Sequence, residues 1–388
     1  MTSRVSSRAA ALLVLGLAAL PGCNRRHVTP ASGAASALPS GAVLVAPSPP
    51  PPPLPAAPLP GANAPSSFAD LVARADPAVV FVKTLQERRP YPGRRVLGEA
   101  LGSAFVYDAN GLILTNNHVI EGAADIQVIL GNSRVMSATV VGRDPPTDVA
   151  VLRVDATGLP SLPLGDSDAV RVGDWVIAIG NPFGLTHTVS AGILSAKDRT
   201  NQDLSKNGGG LDEAGYYDFL QTDASINPGN SGGPLLDTAG RAVGINTAIR
   251  DRANGIGFAI PINMIREILP RLIKDGKIRR SAIGISVSSV LPDDVARLGL
   301  PNSEGALVRV VIAGGPAERA GLAVDDVILS VDGKPVSGPE RLRWVASLAG
   351  VGATVSARVA RGGRQFELKV TLEELRTGPP PVEGIPFP

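Results

Sequence analysis

Short apolar runs divided by glycine, asparagine and aspartate fill residues 79–246, and this pattern constrains the fold more than any other feature. Turn residues recur about every eight to twelve positions, which predicts many short strands and therefore an all-β sandwich or barrel. About 200 residues is an ordinary size for one such unit or for two stacked barrels. The predicted strands are residues 79–82, 104–107, 112–115, 126–129, 139–141, 149–152, 175–179 and 243–246.

The N-terminus has the pattern of a secretory signal. Arg4 and Arg8 precede an apolar stretch, residues 9–20, that is too short to span a bilayer as a mature helix. The signal ends in Leu20-Pro21-Gly22-Cys23, which resembles the lipobox of bacterial lipoproteins. Cys23 is the only cysteine, so no intramolecular disulfide is possible. We expect Cys23 to carry a lipid that anchors the exported protein to a membrane of the cell envelope, with ordinary cleavage as the alternative.

Composition divides the chain into segments. Residues 23–66 consist mainly of Ala, Pro, Ser and Gly, so they cannot bury apolar area and are expected to form a disordered tether. The 37 basic and 35 acidic residues nearly balance, and no basic run is interleaved with aromatic residues, so nothing indicates a nucleic-acid partner. The expected organisation is a signal peptide at 1–22, the tether at 23–66, an all-β domain at 67–276, a smaller domain at 277–375 and a Pro-rich tail at 376–388.

The stretch Gly229-Asn230-Ser231-Gly232-Gly233-Pro234 is suited to a serine nucleophile. Such a serine needs an exposed hydroxyl on a tight turn and backbone N–H groups that face a developing oxyanion. The three glycines let the backbone adopt positive φ and approach a substrate carbonyl closely. The N–H groups of Gly229 and Ser231 are the expected oxyanion donors. By itself, the hexapeptide fits a glycine-rich turn with an incidental serine equally well.

A serine nucleophile needs a base, and the chain has three histidines. His27 lies in the tether and His187 in a loop, whereas His118 follows a predicted strand, so His118 is the expected base. Asp148 opens an apolar strand and is the expected carboxylate partner. Asp144 is the alternative, but it precedes two prolines in a turn and is expected to be solvated. The resulting order of base, carboxylate and nucleophile is that of the chymotrypsin-type barrel proteases.

Five stretches in register extend this pattern: those around His118, Asp148 and Ser231, together with residues 180–184 and 255–261. They resemble the HtrA/Deg family of serine proteases, and the resemblance covers residues 68–372. It implies a mostly β protein with two six-stranded barrels and the triad in the cleft between them. It also implies peptide-bond hydrolysis through an acyl-enzyme without metal or cofactor, and a homotrimer.

The resemblance further implies roles for two regions. An extended substrate would pair by backbone hydrogen bonds beside the channel that Gly255, Ile256, Gly257 and Phe258 border. Arg199 occupies the position of an activation-loop arginine that relays effector binding to the oxyanion turn, and the polar, glycine-rich residues that follow suit a mobile sensor loop. A solvated surface arginine is the open alternative.

Two connecting segments also carry predictions. Residues 87–98 are expected to form a short loop, unlike the long lid of some family members. Residues 262–274 have helical apolar spacing and are expected to connect the two domains, with a break or kink at Pro270.

The stretch Ala282-Ile283-Gly284-Ile285, the segment 315–322 and the dipeptide Asp332-Gly333 resemble a bacterial PDZ domain. Asp332-Gly333 favours a type I′ turn, and a helix is expected near residues 339–348. A C-terminal peptide would add as a strand beside residues 283–287, and the turn before it would hold the peptide carboxylate through N–H groups. The alternative for this loop is an ordinary glycine turn.

Two functions follow from these features. The first is an exported endoprotease that cleaves unfolded or misfolded polypeptides, with the PDZ domain capturing substrate tails or gating activity. The second is a non-proteolytic holdase or scaffold that uses the same domains for peptide binding. A broken triad or an oxyanion turn without glycines would favour the second, and the sequence has neither.

Overall fold

The computed structural model describes residues 66–91, 94–181, 188–200, 215–227, 229–247 and 255–375, with the backbone alone at 87–91 and 94–97. The predicted signal peptide, Cys23, nearly all of the tether, His187 and the Pro-rich tail lie outside these ranges. In the described part of the chain, no helix is both long and apolar enough to cross a membrane.

The first barrel is closed in the order β1-β2-β3-β6-β5-β4. Alternating residues of these strands, such as Val80 and Val82, point into a core shared with Ile113, Val128 and Leu152. Its strands are β1 (Val79–Tyr91), β2 (Arg94–Asp108), β3 (Leu112–Asn116), β4 (Ala123–Ile129), β5 (Val135–Asp144) and β6 (Val149–Val154).

The second barrel is closed in the order β10-β11-β12-β9-β8-β7. Its interior contains Val176, Ala178, Leu194, Leu220 and Val243, all nearly inaccessible to solvent. Its strands are β7 (Trp175–Gly180), β8 (Thr188–Arg199), β9 (Phe219–Thr222), β10 (Pro234–Leu236), β11 (Ala242–Thr247) and β12 (Gly257–Pro261). The two closed barrels confirm the predicted mostly β fold.

Short helices flank the barrels: α1 (Ala69–Ala75), α2 (Asn117–Ile120) and α3 (Ile262–Asp275), with 3₁₀ turns at Asp76–Ala78 and Pro145–Thr147. Helix α3 continues through Pro270, so a break at this residue is wrong, whereas the alternative of a kink stays a prediction. Its apolar face, which includes Ile265 and Leu272, packs into the central core, and that burial outweighs the hydrogen bond lost at proline. Gly276 ends it in the left-handed conformation, with φ of 72°.

The C-terminal domain is built on a sheet in the order β14-β15-β16-β18-β19, and β14 lies at its edge. Asp332 and Gly333 both have positive φ and join β16 to β17, as a type I′ turn requires. The strands are β13 (Ser281–Ala282), β14 (Ile285–Ser289), β15 (Ala306–Val311), β16 (Val327–Val331), β17 (Lys334–Pro335), β18 (Thr354–Arg361), β19 (Arg364–Thr371) and β20 (Glu373–Glu374). The helices are α4 (Pro292–Leu298), α5 (Pro316–Arg319) and α6 (Pro339–Leu348).

Helix α6 packs against the barrels. Trp344 and Leu348 belong to the same core cluster as α3. The Trp344 indole N–H donates to Glu267 Oε2 at 2.8 Å, and its ring meets that of Tyr216 edge-on with centroids 6.0 Å apart. The two domains therefore share a packed interface with directional contacts.

Two sequence predictions are wrong in this part of the molecule. Residues 87–91 and 94–98 are not a loop, because they belong to β1 and β2, which pair as antiparallel strands with Glu87 opposite Leu97. Hydrogen bonds between the backbones hold the two strands together, so the pairing does not require alternating apolar and polar residues. Asp144 is not solvated either: it is 2% exposed and accepts hydrogen bonds from Thr147 and Arg280.

Candidate active site

His118 and Asp148 are in direct contact at the rim of the first barrel. His118 lies on the one-turn helix α2, and Asp148 lies between a 3₁₀ turn and strand β6. The His118 Nδ1 atom lies 2.7 Å from Asp148 Oδ2, and the backbone N–H of His118 donates to Asp148 Oδ1 at 2.9 Å. Both carboxylate oxygens therefore hold the histidine, and its Nε2 is the ring nitrogen left for a proton from a nucleophile.

Asp148 is held in an uncommon backbone conformation. Its φ of 58° lies in the left-handed region. The carbonyl of Asp148 accepts from the N–H of Asn117 and from the side chain of Asn116, both at 3.0 Å. Its own N–H donates to Pro145 at 3.0 Å. These bonds turn the carboxylate away from its own strand and towards His118.

The aspartate changes the protonation of the histidine. Desolvation lowers the pKa of His118, but the hydrogen bond and negative charge of Asp148 raise it by more, with a further contribution from Glu121. The pKa of His118 therefore lies above its ordinary value of 6.5. A base with such a pKa is suited to accept a proton near neutral pH.

Ser231 lies in the second barrel, on the turn between β9 and β10. Gly229 and Gly232 have φ of 108° and 86°, values that favour glycine. Hydrogen bonds join the two barrels at this turn and at Asp148: the N–H of Ser103 donates to the Ser231 carbonyl at 2.8 Å, and Thr247 Oγ1 donates to Asp148 Oδ2 at 3.4 Å. The segments that carry the three sequence-predicted residues therefore meet where the two barrels pack together.

The glycines of the turn are required by close packing. A Cβ on Gly232 would lie 2.0 Å from the Ser103 carbonyl oxygen, and one on Gly233 would lie 2.2 Å from the carbonyl oxygen of Ile179. Among the described residues, the N–H of Gly229 has no hydrogen-bond acceptor. It could therefore donate to a substrate oxyanion, which stays a prediction.

The four residues predicted to border the substrate channel differ in their surroundings. Phe258 is 5% exposed, packs on Phe219 and belongs to a strand that is paired on both sides. Ile256 is 44% exposed, and Gly255 has a φ of 82°. Gly257 begins β12 and lies against Ile226. Gly255 and Ile256 thus lie before the strand in which Gly257 and Phe258 pair with β9.

Arg199 lies at the end of β8, half-buried, and its Nε donates to Gln221 Oε1 on the neighbouring strand at 2.8 Å. This hydrogen bond holds the Arg199 side chain against the barrel, whereas the alternative was a solvated surface arginine. The rest of the predicted sensor loop, residues 201–214, lies outside the described residues.

The predicted peptide-binding loop of the C-terminal domain lies between β13 and β14. Gly284 has a φ of 82°, and in the described part of the chain the N–H groups of Ile283 and Gly284 donate to no acceptor. A cavity of about 1120 Å³ extends from this loop along β14 and α6. Its opposite wall belongs to the second barrel and includes Lys197, Asp198 and Asp218.

Sequence reasoning missed three residues that organise the cleft: Ser103, Asn116 and Thr247. Each contacts a predicted site residue or its turn through a hydrogen bond. Ser103 and Thr247 lie far along the chain from the residues they contact, so local patterns carry no signal for them. Asn116 directly precedes the helix of His118. Its place beside a predicted site residue is the signal by which the sequence could have identified it.

Comparisons with known proteins agree with this architecture. Residues 102–245 match the family model described as a trypsin-like peptidase domain, and residues 281–372 match that of a PDZ domain. A Chlamydia pneumoniae protein named as a probable periplasmic serine endoprotease, DegP-like, is 38% identical over 79% of this chain and 68% of its own length. A protein of the same name from Pseudomonas putida is 42% identical over 74% of this chain, which spans 58% of that relative.

A solved structure described as the HtrA-type protease AlgW with decapeptide is 39% identical, with a TM-score of 0.63 over 81% of this chain and all of that one. Fold and site thus define a trypsin-like serine peptidase domain followed by one PDZ domain. The chain belongs to the HtrA family of DegP-like serine endoproteases. The names of the relatives support a periplasmic location and favour a protease over a non-proteolytic scaffold.

Proposed function

We propose that this protein is a serine endoprotease whose catalytic residues are Ser231, His118 and Asp148. The double hydrogen bond between His118 and Asp148 is the observation that carries the proposal, since it orients the imidazole for proton transfer. The Ser231 hydroxyl oxygen bonds to the carbon of the scissile peptide while its proton passes to His118 Nε2. The N–H groups of Gly229 and Ser231 stabilise the oxyanion.

Collapse of the tetrahedral intermediate breaks the peptide C–N bond, and His118 gives its proton to the leaving amine. A water molecule, deprotonated by His118, then attacks the acyl carbon; the bond from this carbon to Ser231 Oγ breaks, His118 returns the proton to Oγ, and the new carboxyl terminus is released. The substrates are unfolded or misfolded polypeptides, because an extended chain is needed to pair with the backbone of Gly255 and Ile256.

The PDZ domain binds C-terminal peptide segments. Within the described residues, strand β14 has an unpaired edge to which a peptide can add, and the N–H groups of Ile283 and Gly284 have no acceptor and can hold a carboxylate. The groove also faces the second barrel near Lys197 and Asp198. A peptide in the groove therefore lies close enough to Arg199 to influence the oxyanion turn, which gives the PDZ domain a role in activation as well as capture.

The signal sequence and relatives named as periplasmic support export to the periplasm. Lipid attachment at Cys23, with residues 23–66 as the tether, is the finer part of this proposal. We also propose a homotrimer. The ring pair of Phe68 and Trp175, with centroids 5.6 Å apart and Trp175 39% exposed, is an apolar surface that a second copy can cover.

The decisive experiment is cleavage of unfolded casein by the purified protein and by Ser231→Ala. We expect the substitution to lower kcat by up to about 10⁶-fold. A serine-reactive fluorophosphonate probe, used with and without a C-terminal peptide, tests activation. Labelling that needs the peptide supports a switched protease, whereas neither labelling nor cleavage of casein under any condition would favour the non-proteolytic scaffold instead.

Two further measurements test the finer parts of the proposal. Mass spectrometry of the mature N-terminus is expected to find an acylated Cys23. Light scattering is expected to give a trimer that Trp175→Ser weakens. An unmodified N-terminus elsewhere, or a monomer at all concentrations, would overturn these parts without affecting the catalytic assignment.

A further inference from the structure

Ser103 is a fully buried residue of β2 at the point where three distant segments meet. Its hydroxyl donates to the carbonyl oxygen of Gly229 at 2.5 Å and accepts from the backbone N–H of Asn181 at 2.7 Å. Its backbone N–H donates to the carbonyl of Ser231 at 2.8 Å. Its carbonyl accepts from Thr115 Oγ1 at 2.7 Å. Each polar group of Ser103 therefore forms a hydrogen bond. The hydroxyl donates its single proton to Gly229 and acts as acceptor for Asn181.

These bonds act on the segment that carries the expected oxyanion donors. The peptide unit between Gly229 and Asn230 separates the two donor N–H groups. Its N–H, that of Asn230, donates to Asn227 at 2.9 Å, and its carbonyl accepts from Ser103. The next carbonyl, that of Asn230, accepts from Gly233 at 3.0 Å within the turn. The carbonyl of Ser231 is again held by Ser103.

The first barrel thus holds the peptide units on both sides of the Ser231 amide through one residue. Gly229 has no Cβ to restrict its rotation, and with φ of 108° it can change conformation at little steric cost. The orientation of the Gly229–Asn230 peptide unit therefore depends on the hydrogen bonds at its two ends, one to Asn227 and one from Ser103. Within the described part of the chain, the Ser103 hydroxyl is the group outside the turn that bonds the Gly229 carbonyl.

We propose that Ser103 is a positioning residue for the oxyanion hole, an inference that rests on the proposed protease function. Its hydroxyl fixes the plane of the Gly229–Asn230 peptide and ties it to Asn181, at the end of β7. Ser103 itself contacts no reacting atom. Loss of the hydroxyl leaves the fold in place but lets the Gly229 N–H turn away from the developing oxyanion. The transition state is then stabilised less, whereas the affinity for substrate is unchanged.

The test compares Ser103→Ala with Ser167→Ala on a short peptide substrate. Ser167 is a matched control: it is 1% exposed, and its hydroxyl accepts from the N–H of Asn263 at the start of α3, away from the nucleophile turn. We expect Ser103→Ala to lower kcat about 10- to 100-fold with KM changed less than about twofold. Ser167→Ala should keep kcat within about twofold of the wild type.

A second readout isolates the oxyanion. A peptide aldehyde forms a tetrahedral adduct, whereas the matching cleaved peptide, with a carboxylate end, does not. Ser103→Ala is expected to weaken the aldehyde by the same factor as kcat and to leave the affinity of the cleaved peptide unchanged. Ser103→Cys, which retains a weak donor of similar size, should give an intermediate kcat, and it serves as the test if the alanine variant does not fold.

Three outcomes would overturn the proposal. The first is an unchanged kcat in Ser103→Ala, and the second is an equal loss of affinity for the aldehyde and for the cleaved peptide. The third is that Ser103→Ala and Ser167→Ala lose activity to the same extent for the same decrease in melting temperature. A failure of the protease function itself is recognised separately, because Ser231→Ala would then retain the wild-type activity. An active wild type with an inactive Ser231→Ala and a fully active Ser103→Ala refutes the role of Ser103 alone.

Discussion

The guanidinium group of Arg280 donates to the carboxylate of Asp144, and the two side chains are only 6% and 3% exposed. Arg280 directly precedes the first strand of the PDZ domain, whereas Asp144 ends β5, four residues before Asp148. The guanidinium also lies 4.0 Å from the centre of the Tyr216 ring and donates to Ser347 Oγ at 2.9 Å. A desolvated ion pair therefore joins the PDZ domain to the loop that carries the predicted catalytic aspartate.

Removal of one partner of this pair is expected to be costly. Arg280→Met leaves the Asp144 carboxylate buried without its cation, and the free energy of unfolding should fall by about 3–5 kcal/mol in urea denaturation. The exposed pair between Arg279 and Glu374, at 3.2 Å, is the control. Arg279→Met should cost less than about 1 kcal/mol. Equal costs for the two variants would contradict the assigned role of the buried pair.

Asp148→Asn tests the electrostatic control of His118. The amide cannot stabilise the imidazolium and favours the wrong tautomer, so kcat should fall by about 10⁴-fold. In the wild type, the acid limb of kcat/KM should lie above pH 6.5, because the pKa of His118 is raised and the protonated ring cannot act as a base. In the variant, this limb should move to lower pH. An exposed-site variant, Asp125→Asn, should retain the wild-type profile.

Gly232→Ala tests the packing of the nucleophile turn. The new Cβ would meet the Ser103 carbonyl at 2.0 Å and Thr115 Oγ1 at 2.3 Å, in a backbone conformation with φ of 86°. We expect a loss of about 2–5 kcal/mol in the free energy of unfolding, from backbone strain and overpacking together. At Gly122, φ is 69° and nothing lies within 4 Å of the added Cβ. Gly122→Ala should therefore show only the backbone cost of about 1–2 kcal/mol, and a similar loss at both sites would refute the packing argument.

Asp218→Asn should stabilise the protein at high pH. Burial, the charge of Asp198 and a hydrogen bond with it raise the pKa of Asp218 to about 7, against the opposing charge of Arg341, and Asp168 adds a smaller increase. The folded protein therefore binds a proton that the unfolded chain, with a value of 3.8, has released. The contribution of Asp218 to the free energy of unfolding therefore falls as the pH rises from 3.8 to about 7.

Thermal unfolding at several pH values measures this effect. The variant and the wild type should have similar melting temperatures near about pH 4, and the variant should be the more stable above about pH 8. A difference between Asp218→Asn and the wild type that does not change with pH would contradict the raised pKa.

Much of the fold could be predicted because its causes are local. Alternating apolar residues such as Val80 and Val82 indicated strands of the first barrel, and the Asp332-Gly333 dipeptide indicated a hairpin turn that the structure has. Strand β8 was missed because its inward and outward residues do not alternate cleanly. The strand pairing of residues 87–91 with 94–98 was missed because its stability comes from backbone hydrogen bonds.

The candidate site divides in the same way. His118, Asp148 and Ser231 were accessible from residue type, order and resemblance, since a nucleophile, a base and a carboxylate each leave a local pattern. The burial of Asp144 was not accessible, because its partner Arg280 lies 136 positions away. The sequence by itself thus determined which groups are proposed to supply the chemistry and that the chain forms β-barrels. Only the tertiary structure decided that Ser103 hydrogen-bonds the turn that carries Ser231 and that Arg280 neutralises Asp144, because hydrogen bonds and ion pairs depend on distances in space between residues far apart in the chain.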